Sequence, residues 1–296
     1  MTSDDLHDDA SPEPVDLSML DVHVPDGVPD AEALARTTDV GIVAHPDDLE
    51  LVLLPAVAAC VADPQRWFCG IVCTDGAGSV RAGTAADLDD AALVAVRRAE
   101  QLAAADLGGY GAVIQLAWSS ASARTDVTGL VDALEPILRL CRAVNLWTHD
   151  LADAHATHVA VGLAAVLAAR RLPMPDRPVR AVGVEGWRSL DWLPAQHRVV
   201  LDTSDAVALG RDLAAVFPSQ LGAGKRYDLA AEGRRVANAT FAEPRAVDAV
   251  DQAALAMDLT PVVRNESIDP HQFVAGALVQ FADETTARLR AVSPAT

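Results

Sequence analysis

Lysine is almost missing from this sequence: Lys225 is the only one, in a chain rich in alanine and arginine. That bias is most simply the mark of a GC-rich coding genome, so arginine as such carries no functional meaning. Aromatic residues are also scarce, at 4%, while 51% of the chain is hydrophobic, mostly Ala, Val and Leu. A core of that size and palette suits helices packed on a buried parallel sheet better than an aromatic-rich β-sandwich. Positive charge is in deficit, with a formal net charge of -19. Nucleic acid is thereby excluded as a partner, because phosphate binding needs a basic surface. No CxxC pair occurs, and Cys60, Cys69, Cys73 and Cys141 lie within apolar stretches, as small buried hydrophobes do in a reducing compartment. No apolar run is long enough to span a bilayer, and the acidic N-terminus lacks the apolar core of a signal peptide. The expectation is a cytoplasmic protein with no membrane partner.

What is present begins with acid. Asp4 to Glu32 holds ten carboxylates, no lysine or arginine precedes Arg36, and Pro12, Pro14, Pro25 and Pro29 interrupt the segment. Such a stretch buries too little apolar surface to offset its ordering entropy. Residues 1–36 therefore read as an acidic, flexible tail, docked in part at most, and 37–296 as a single domain with a helical C-terminal elaboration.

From Asp39 onward short apolar runs alternate with helix-length segments. Strands are expected at Asp39 to Ala44, Trp67 to Cys73, Ala112 to Ala117, Ala143 to Trp147 and about Val179 to Val184. Helices are expected at about Leu49 to Val61, Leu88 to Leu107 with Asp87 as N-cap, Asp126 to Cys141 and His155 to Arg171. Beyond Arg198 the pattern weakens: a strand at Val199 to Asp202, then helices near Asp205 to Phe217, Leu221 to Phe241 and Gln272 to Val292. The alternation implies βαβ units and a parallel sheet, whose ligands bind outside the carboxyl ends of the strands. Each polar cluster of note follows an expected strand, which gathers those clusters on one rim.

Two of these clusters carry chemistry. Ala44-His45-Pro46-Asp47-Asp48 packs an imidazole and two carboxylates into four residues, a costly group to bury without a metal or another partner. Pro46 fixes one backbone dihedral and helps to aim His45 and Asp48 at a common point. A dinucleotide enzyme would need GxGxxG here, and it is absent. The second cluster, His149 to His158, holds three of the eight histidines. His155 and His158 are three apart at a helix start and so share a face. Two such clusters, each following an expected strand, point to a metal site.

With AHPDD, the TDG after the second strand, Arg97-Arg98-Ala99-Glu100 followed by Leu107-Gly108, and HATH, the stretch from about Asp39 to Arg171 resembles the LmbE-like or PIG-L N-acetylglucosaminyl deacetylases. HATH stands where family members commonly have HPDH, and it keeps both histidines. The resemblance implies an α/β fold: a Rossmann-like three-layer sandwich with a mainly parallel sheet and a metal site at the carboxyl ends of the strands. It implies Zn2+ held by His45, Asp48 and His158, with Fe2+ or Co2+ also able to occupy such a site. Asp47 matches the general base, and His155 would stabilise the oxyanion as imidazolium. The implied reaction is hydrolysis of an N-acetyl group from a glucosamine-type substrate, the partner being a small-molecule amino-sugar conjugate. A zinc amidase of the same family acting on a bulkier amide is the alternative. A binding protein that kept the fold and lost the chemistry is a third reading, against which the intact His45, Asp47, Asp48, His155 and His158 argue. Family members acting on pseudo-disaccharides often carry a tyrosine just before HPDH; here Ala152-Asp153-Ala154 has none.

Several residues stay open between two roles. Asp150 and Asp153 either hold histidine tautomers or form a solvated helix start, and His149 is unassigned. Arg97 either reaches a substrate hydroxyl or holds the loop, or else forms an intrahelical or interhelical ion pair. Asp75, with Gly76 and Gly78, would flank the metal. Trp187 or Trp192, with Arg188, either lines the pocket, where a tryptophan face stacks on a sugar ring, or packs in the core. The basic stretch Lys225-Arg226-Tyr227 and Arg234-Arg235 meets a substrate phosphate or carboxylate, or a neighbouring subunit, or is a solvated helix face. A homo-oligomer is left open.

Overall fold

The computed structural model describes residues 17–221, 224–243 and 245–293. Along the chain run β1 (Asp21–His23), α1 (Asp30–Ala35), β2 (Asp39–Val43), α2 (Asp48–Leu51), α3 (Leu54–Ala62) and β3 (Phe68–Thr74). Then come α4 (Asp90–Gly108), β4 (Ala112–Trp118), α5 (Ser120–Thr125), α6 (Val127–Cys141), β5 (Asn145–His149), α7 (Ala156–Arg171) and β6 (Arg180–Val184). The C-terminal part adds β7 (Arg198–Asp202), α8 (Val207–Ala215), α9 (Pro218–Leu221), α10 (Tyr227–Phe241), β8 (Ala253–Asp258), α11 (Thr260–Arg264) and α12 (Pro270–Val292).

The eight strands form one sheet in the order β1-β4-β3-β2-β5-β6-β8-β7. The five central strands are parallel, and β1 and β8 pair antiparallel with β4 and β6. Every residue of β2 and β3 is buried, as expected of strands covered on both faces. One apolar cluster fills the face covered by α6 and α7, and a second fills the face covered by α3 and α8. The architecture is the α/β sandwich expected from the sequence. Successive strands run outward from β2 through β3 to β4, then restart on its other side with β5 and β6. This reversal leaves a crevice between the carboxyl ends of β2 and β5, the usual ligand position in such sheets.

Local chemistry explains the departures from the expected elements. The helix expected from Leu49 to Val61 breaks between α2 and α3 because Pro55 has no N–H to give the Leu51 carbonyl; Arg235 Nη1 donates there instead, at 3.4 Å. The N-cap of α4 is Asp89, not Asp87, accepting from the Ala92 N–H at 2.8 Å. α6 ends on left-handed Arg142, so β5 starts two residues later than expected and carries His149 as its last residue. β8 is not expected from the sequence: Ala-Ala-Leu-Ala-Met-Asp has no β-branched residue to mark a strand. The expected tail 1–36 is docked in its second half. There β1 pairs with β4, Ala33 and Leu34 are wholly buried, and Asp21 meets Arg98 through two hydrogen bonds. Residues 1–16 of that segment lie outside the described residues. Among the described residues no helix is long and apolar enough to cross a membrane.

Candidate active site

β2 ends two residues before His45, and the chain turns at once into α2. Pro46 leads into Asp47, a non-glycine residue with φ of 89°. Such a left-handed conformation is costly and persists only where its surroundings enforce it. Here Gln101 Oε1 accepts the Asp47 N–H at 3.1 Å, and Arg97 Nη2 lies 3.2 Å from Asp47 Oδ1 while donating to the Pro46 carbonyl. From the neighbouring strand, β5 delivers His149, and the loop to α7 with the first turn of that helix delivers Asp153, His155 and His158.

His45, Asp48 and His158 converge. His45 Nδ1 lies 3.1 Å from Asp48 Oδ2, His158 Nε2 3.3 Å from His45 Nδ1, and His158 Nε2 3.4 Å from Asp48 Oδ2. Those separations are close to the edges of a tetrahedron around an ion with bonds of about 2.0–2.1 Å. Two imidazole nitrogens and one carboxylate oxygen on three corners fit a divalent metal and leave the fourth open. A second candidate set, His149, Asp153 and His158, is also close enough together. Its donors are already committed. His149 Nε2 accepts the Ala44 N–H at 2.9 Å, and Asp153 Oδ2 lies 3.1 Å from His158 Nδ1. Asp153 thus fixes the tautomer that turns His158 Nε2 toward the first set, an arrangement typical of metal-binding histidines. Gly186 is packed against this pair: a Cβ there would stand 2.5 Å from Asp153 Oδ2 and 3.2 Å from His158 Nδ1.

Titration follows the contacts. Burial raises the Asp47 carboxyl to about 8, with Arg97 pulling down and the nearby Asp48 and Glu50 charges pushing up. For Asp48 burial also pushes up, but His158, His149 and His45 outweigh it and hold this carboxyl well below the usual range. The two adjacent aspartates are thereby separated, one suited to proton transfer and one to ligation. Burial lowers His149 to about 4, with His158 adding to the effect, so this ring is neutral. It stacks on His158 at 3.8 Å between ring centres and acts as a buttress. Burial, with His158 and His45 beside it, likewise lowers His155 to about 4. That direction favours a neutral ring able to donate one N–H over the expected imidazolium.

A cavity of about 1090 Å³ opens over this constellation, and His45, Asp47, Asp48, Asp75, Arg97, His155, His158 and Trp187 all line it. Arg97 is 2% exposed and holds the loop rather than presenting its guanidinium to a ligand: it donates to the Gly76 carbonyl at 3.3 Å and to Ser79. Glu100 does not pair with Arg97; it accepts from the Ser219 N–H at 2.9 Å and from the Ser219 hydroxyl at 2.5 Å. Asp75 accepts the Ala77 N–H and shapes the loop. Of the two candidate tryptophans, Trp187 stands in the cavity, 6.1 Å from His155 between ring centres, while Trp192 packs on Phe281 outside it. Arg188 is exposed and is not among the cavity's lining residues; Arg234, from α10, lines it instead. Asp150 orients no histidine, its Oδ1 accepting the Ala152 N–H. Gln101 escaped the sequence reading, although its position four residues after Arg97 puts both on one helix face.

Sheet order and donor set together define a doubly wound α/β protein with a His-Asp-His triad at its switch point that could hold a metal ion. Residues 40–169 match the model of the family described as PIG-L: GlcNAc-PI de-N-acetylase. Comparison with curated proteins gave no match. Among solved structures, a conserved protein from Thermus thermophilus superposes with a TM-score of 0.60 at 19% identity, covering 75% of this chain and 94% of its own. The 4-carboxy-2-hydroxymuconate hydratase of Pseudomonas putida gives 0.58 at 17%, covering 76% and 96%. The N,N'-diacetylchitobiose deacetylase of Pyrococcus horikoshii gives 0.57 at 15%, covering 78% and 88%. A hydratase and a deacetylase share the fold, so the reaction must be argued from the site.

Proposed function

We propose that this protein is a metal-dependent hydrolase that removes the acetyl group from the nitrogen of a glucosamine-type substrate. The observation that carries the reading is the open triad of His45, Asp48 and His158 with the Asp47 carboxyl beside it. The family match supports deacetylation, and the deacetylase among the structural neighbours is consistent with it.

The donor set suits Zn2+, and also Fe2+ or Co2+. When bound, such an ion supplies Lewis acidity to water and to the acyl carbonyl. Asp47 takes the proton of the attacking water and returns it to the amine nitrogen as the C–N bond breaks, a role that a carboxyl near neutral pKa can fill in both directions. His155 donates a hydrogen bond to the carbonyl oxygen as negative charge develops there. Arg97 and Gln101 hold Asp47 in place. Trp187 offers a face to the sugar ring. Tyr227, also in the cavity wall, is the available phenol in a chain that lacks a tyrosine before HATH.

The cavity volume favours a second reading within the same chemistry. At about 1090 Å³ it exceeds what a lone N-acetylglucosamine fills, so a large conjugate or a bulkier acyl group also fits. Metal analysis together with acetate release from a panel of N-acetylglucosaminides, for wild type and Asp47→Ala, tests the proposal. Metal in both proteins, with activity in the wild type and a loss of about 10²–10⁴ in the variant, is expected. Metal without acetate release from any member would move the reading to bulkier amides. No metal after reconstitution would overturn the mechanism.

A further inference from the structure

In a chain of formal charge -19 with one lysine, the cavity wall opposite in sign to the rest of the molecule stands out. Lys225, Arg226, Arg234 and Arg235 all line the cavity, on or just before α10. Two of the four are already committed. Arg226 is paired with Asp228 through bonds of 3.0 and 2.7 Å, and Arg235 is buried with its guanidinium turned to the Leu51 carbonyl. Lys225 and Arg234 have no carboxylate within ion-pair distance among the described residues. Lys225 Nζ stands over the Trp187 ring at 4.7 Å from its centre and 5.7 Å from that of Tyr227. Arg234 donates to the carbonyls of Gly186 and Trp187, which fix its plane and leave further N–H groups uncommitted. The acidic residue that Arg234 influences is Glu185, whose own oxygens are taken by the N–H groups of Leu190 and Leu255 and by Asn238. Trp187 joins the two regions, its ring 6.1 Å from His155 on one side and 4.7 Å from Lys225 on the other.

Two cations held in a concave wall, without anions of their own, are matched by an anionic ligand group, which such a wall concentrates and orients. We propose that Lys225 and Arg234 form an anion subsite of the active-site cavity, so that the amine-bearing part of the substrate carries a carboxylate or a phosphate. The inference rests on reading the cavity as the hydrolytic site, and it deepens that reading by naming the substrate's charge. Arg234 lies on α10 and Lys225 just before it, both beyond the matched residues 40–169.

Binding without turnover tests it separately from the reaction. The metal-loaded protein is titrated with inorganic phosphate and with succinate at constant ionic strength, by calorimetry and tryptophan fluorescence. Saturable binding of at least one anion is expected, weakened about tenfold or more in Lys225→Ala/Arg234→Ala, as loss of charged hydrogen bonds implies. The preferred anion distinguishes phosphate from carboxylate. Arg226→Ala removes an already paired charge at the start of the same helix, next to Lys225, and should change affinity by less than about twofold. Affinity unchanged in the double variant, or an equal loss in Arg226→Ala, would overturn the proposal, as would no saturable binding. Should the double variant unfold, Lys225→Met and Arg234→Gln are measured singly. Absence of acetate release with anion binding intact would fault the reaction and leave the subsite standing.

Discussion

The Asp47 N–H donates to Gln101 Oε1 over 3.1 Å, and this bond ties the left-handed turn of the AHPDD segment to helix α4. Gln101 Nε2 in turn donates to Glu50 at 2.8 Å, and Tyr110 donates to the same Glu50 oxygen at 2.8 Å. A buried network thus fixes the backbone that presents the proposed base. Gln101→Leu leaves the Asp47 N–H without its acceptor, which costs about 1–3 kcal/mol of stability. Asp47 does not hold the substrate in this reading, so kcat should fall about tenfold while KM stays within about twofold. Steady-state kinetics and thermal unfolding check both parts. A rise in KM matching the fall in kcat would mean that Gln101 shapes the cavity, not the base.

Arg97 adds the electrostatic half of that support. Its charge is the main influence lowering Asp47 against the upward push of burial. A base must be ionised, so activity falls as pH drops through its pKa. Arg97→Met removes the charge, raises Asp47, and should move the acidic limb of the kcat/KM profile upward by about 1–3 pH units. Arg97→Lys keeps the charge and should keep the limb in place. A profile that loses amplitude in Arg97→Met without moving would show that Asp47 is not the titrating base.

Much of this site was legible because its chemistry is local in sequence. His45, Asp47 and Asp48 sit in one turn, and His155 and His158 on one helix face, so type and spacing identified them. That the two groups meet was implied by the family resemblance and not by local pattern: it depends on β5 pairing with β2 rather than with β4, a choice of strand order that no short pattern encodes. The cavity wall was harder still. Arg188 and Trp192 follow the same strand as Trp187, but the turn after β6 sends Arg188 outward and Trp192 toward α12, while α10, far along the chain, brings Arg234 into the space. The docking of β1 and α1 was masked by an acidic composition whose charges find partners only after folding, in Arg98 and Arg36.

Glu50 makes stability depend on pH in an unusual direction. Burial raises its carboxyl to about 7, so the folded protein binds this proton more tightly than the unfolded chain, where the group titrates near 4.5. With more protons bound in the folded state, the contribution of Glu50 to stability is fully present below about 4.5 and is lost as pH rises to about 7. Glu50→Gln keeps an acceptor for Tyr110 and Gln101 and has no proton to lose. The melting temperature of the variant relative to wild type should therefore climb between about pH 4.5 and 7 and level off above. A constant difference across that range would mean that Glu50 is already ionised in the folded protein.

Asp153 separates the two ways of assembling a metal site from these histidines. In the arrangement favoured here it only orients His158, through the 3.1 Å contact to Nδ1, while also accepting the N–H groups of His155 and Trp187 at 2.9 and 3.0 Å. Asp153→Asn should then weaken metal binding by about 10–100-fold without abolishing it. His45→Ala removes a ligand and should abolish stoichiometric binding. His149→Ala removes only a buttress, and its affinity should stay closer to wild type than that of Asp153→Asn. If the metal instead sat between His149, Asp153 and His158, the order would invert: His149→Ala would lose the ion and His45→Ala would keep it. Competition against a chelator of known affinity, on all three variants, decides between the two sets.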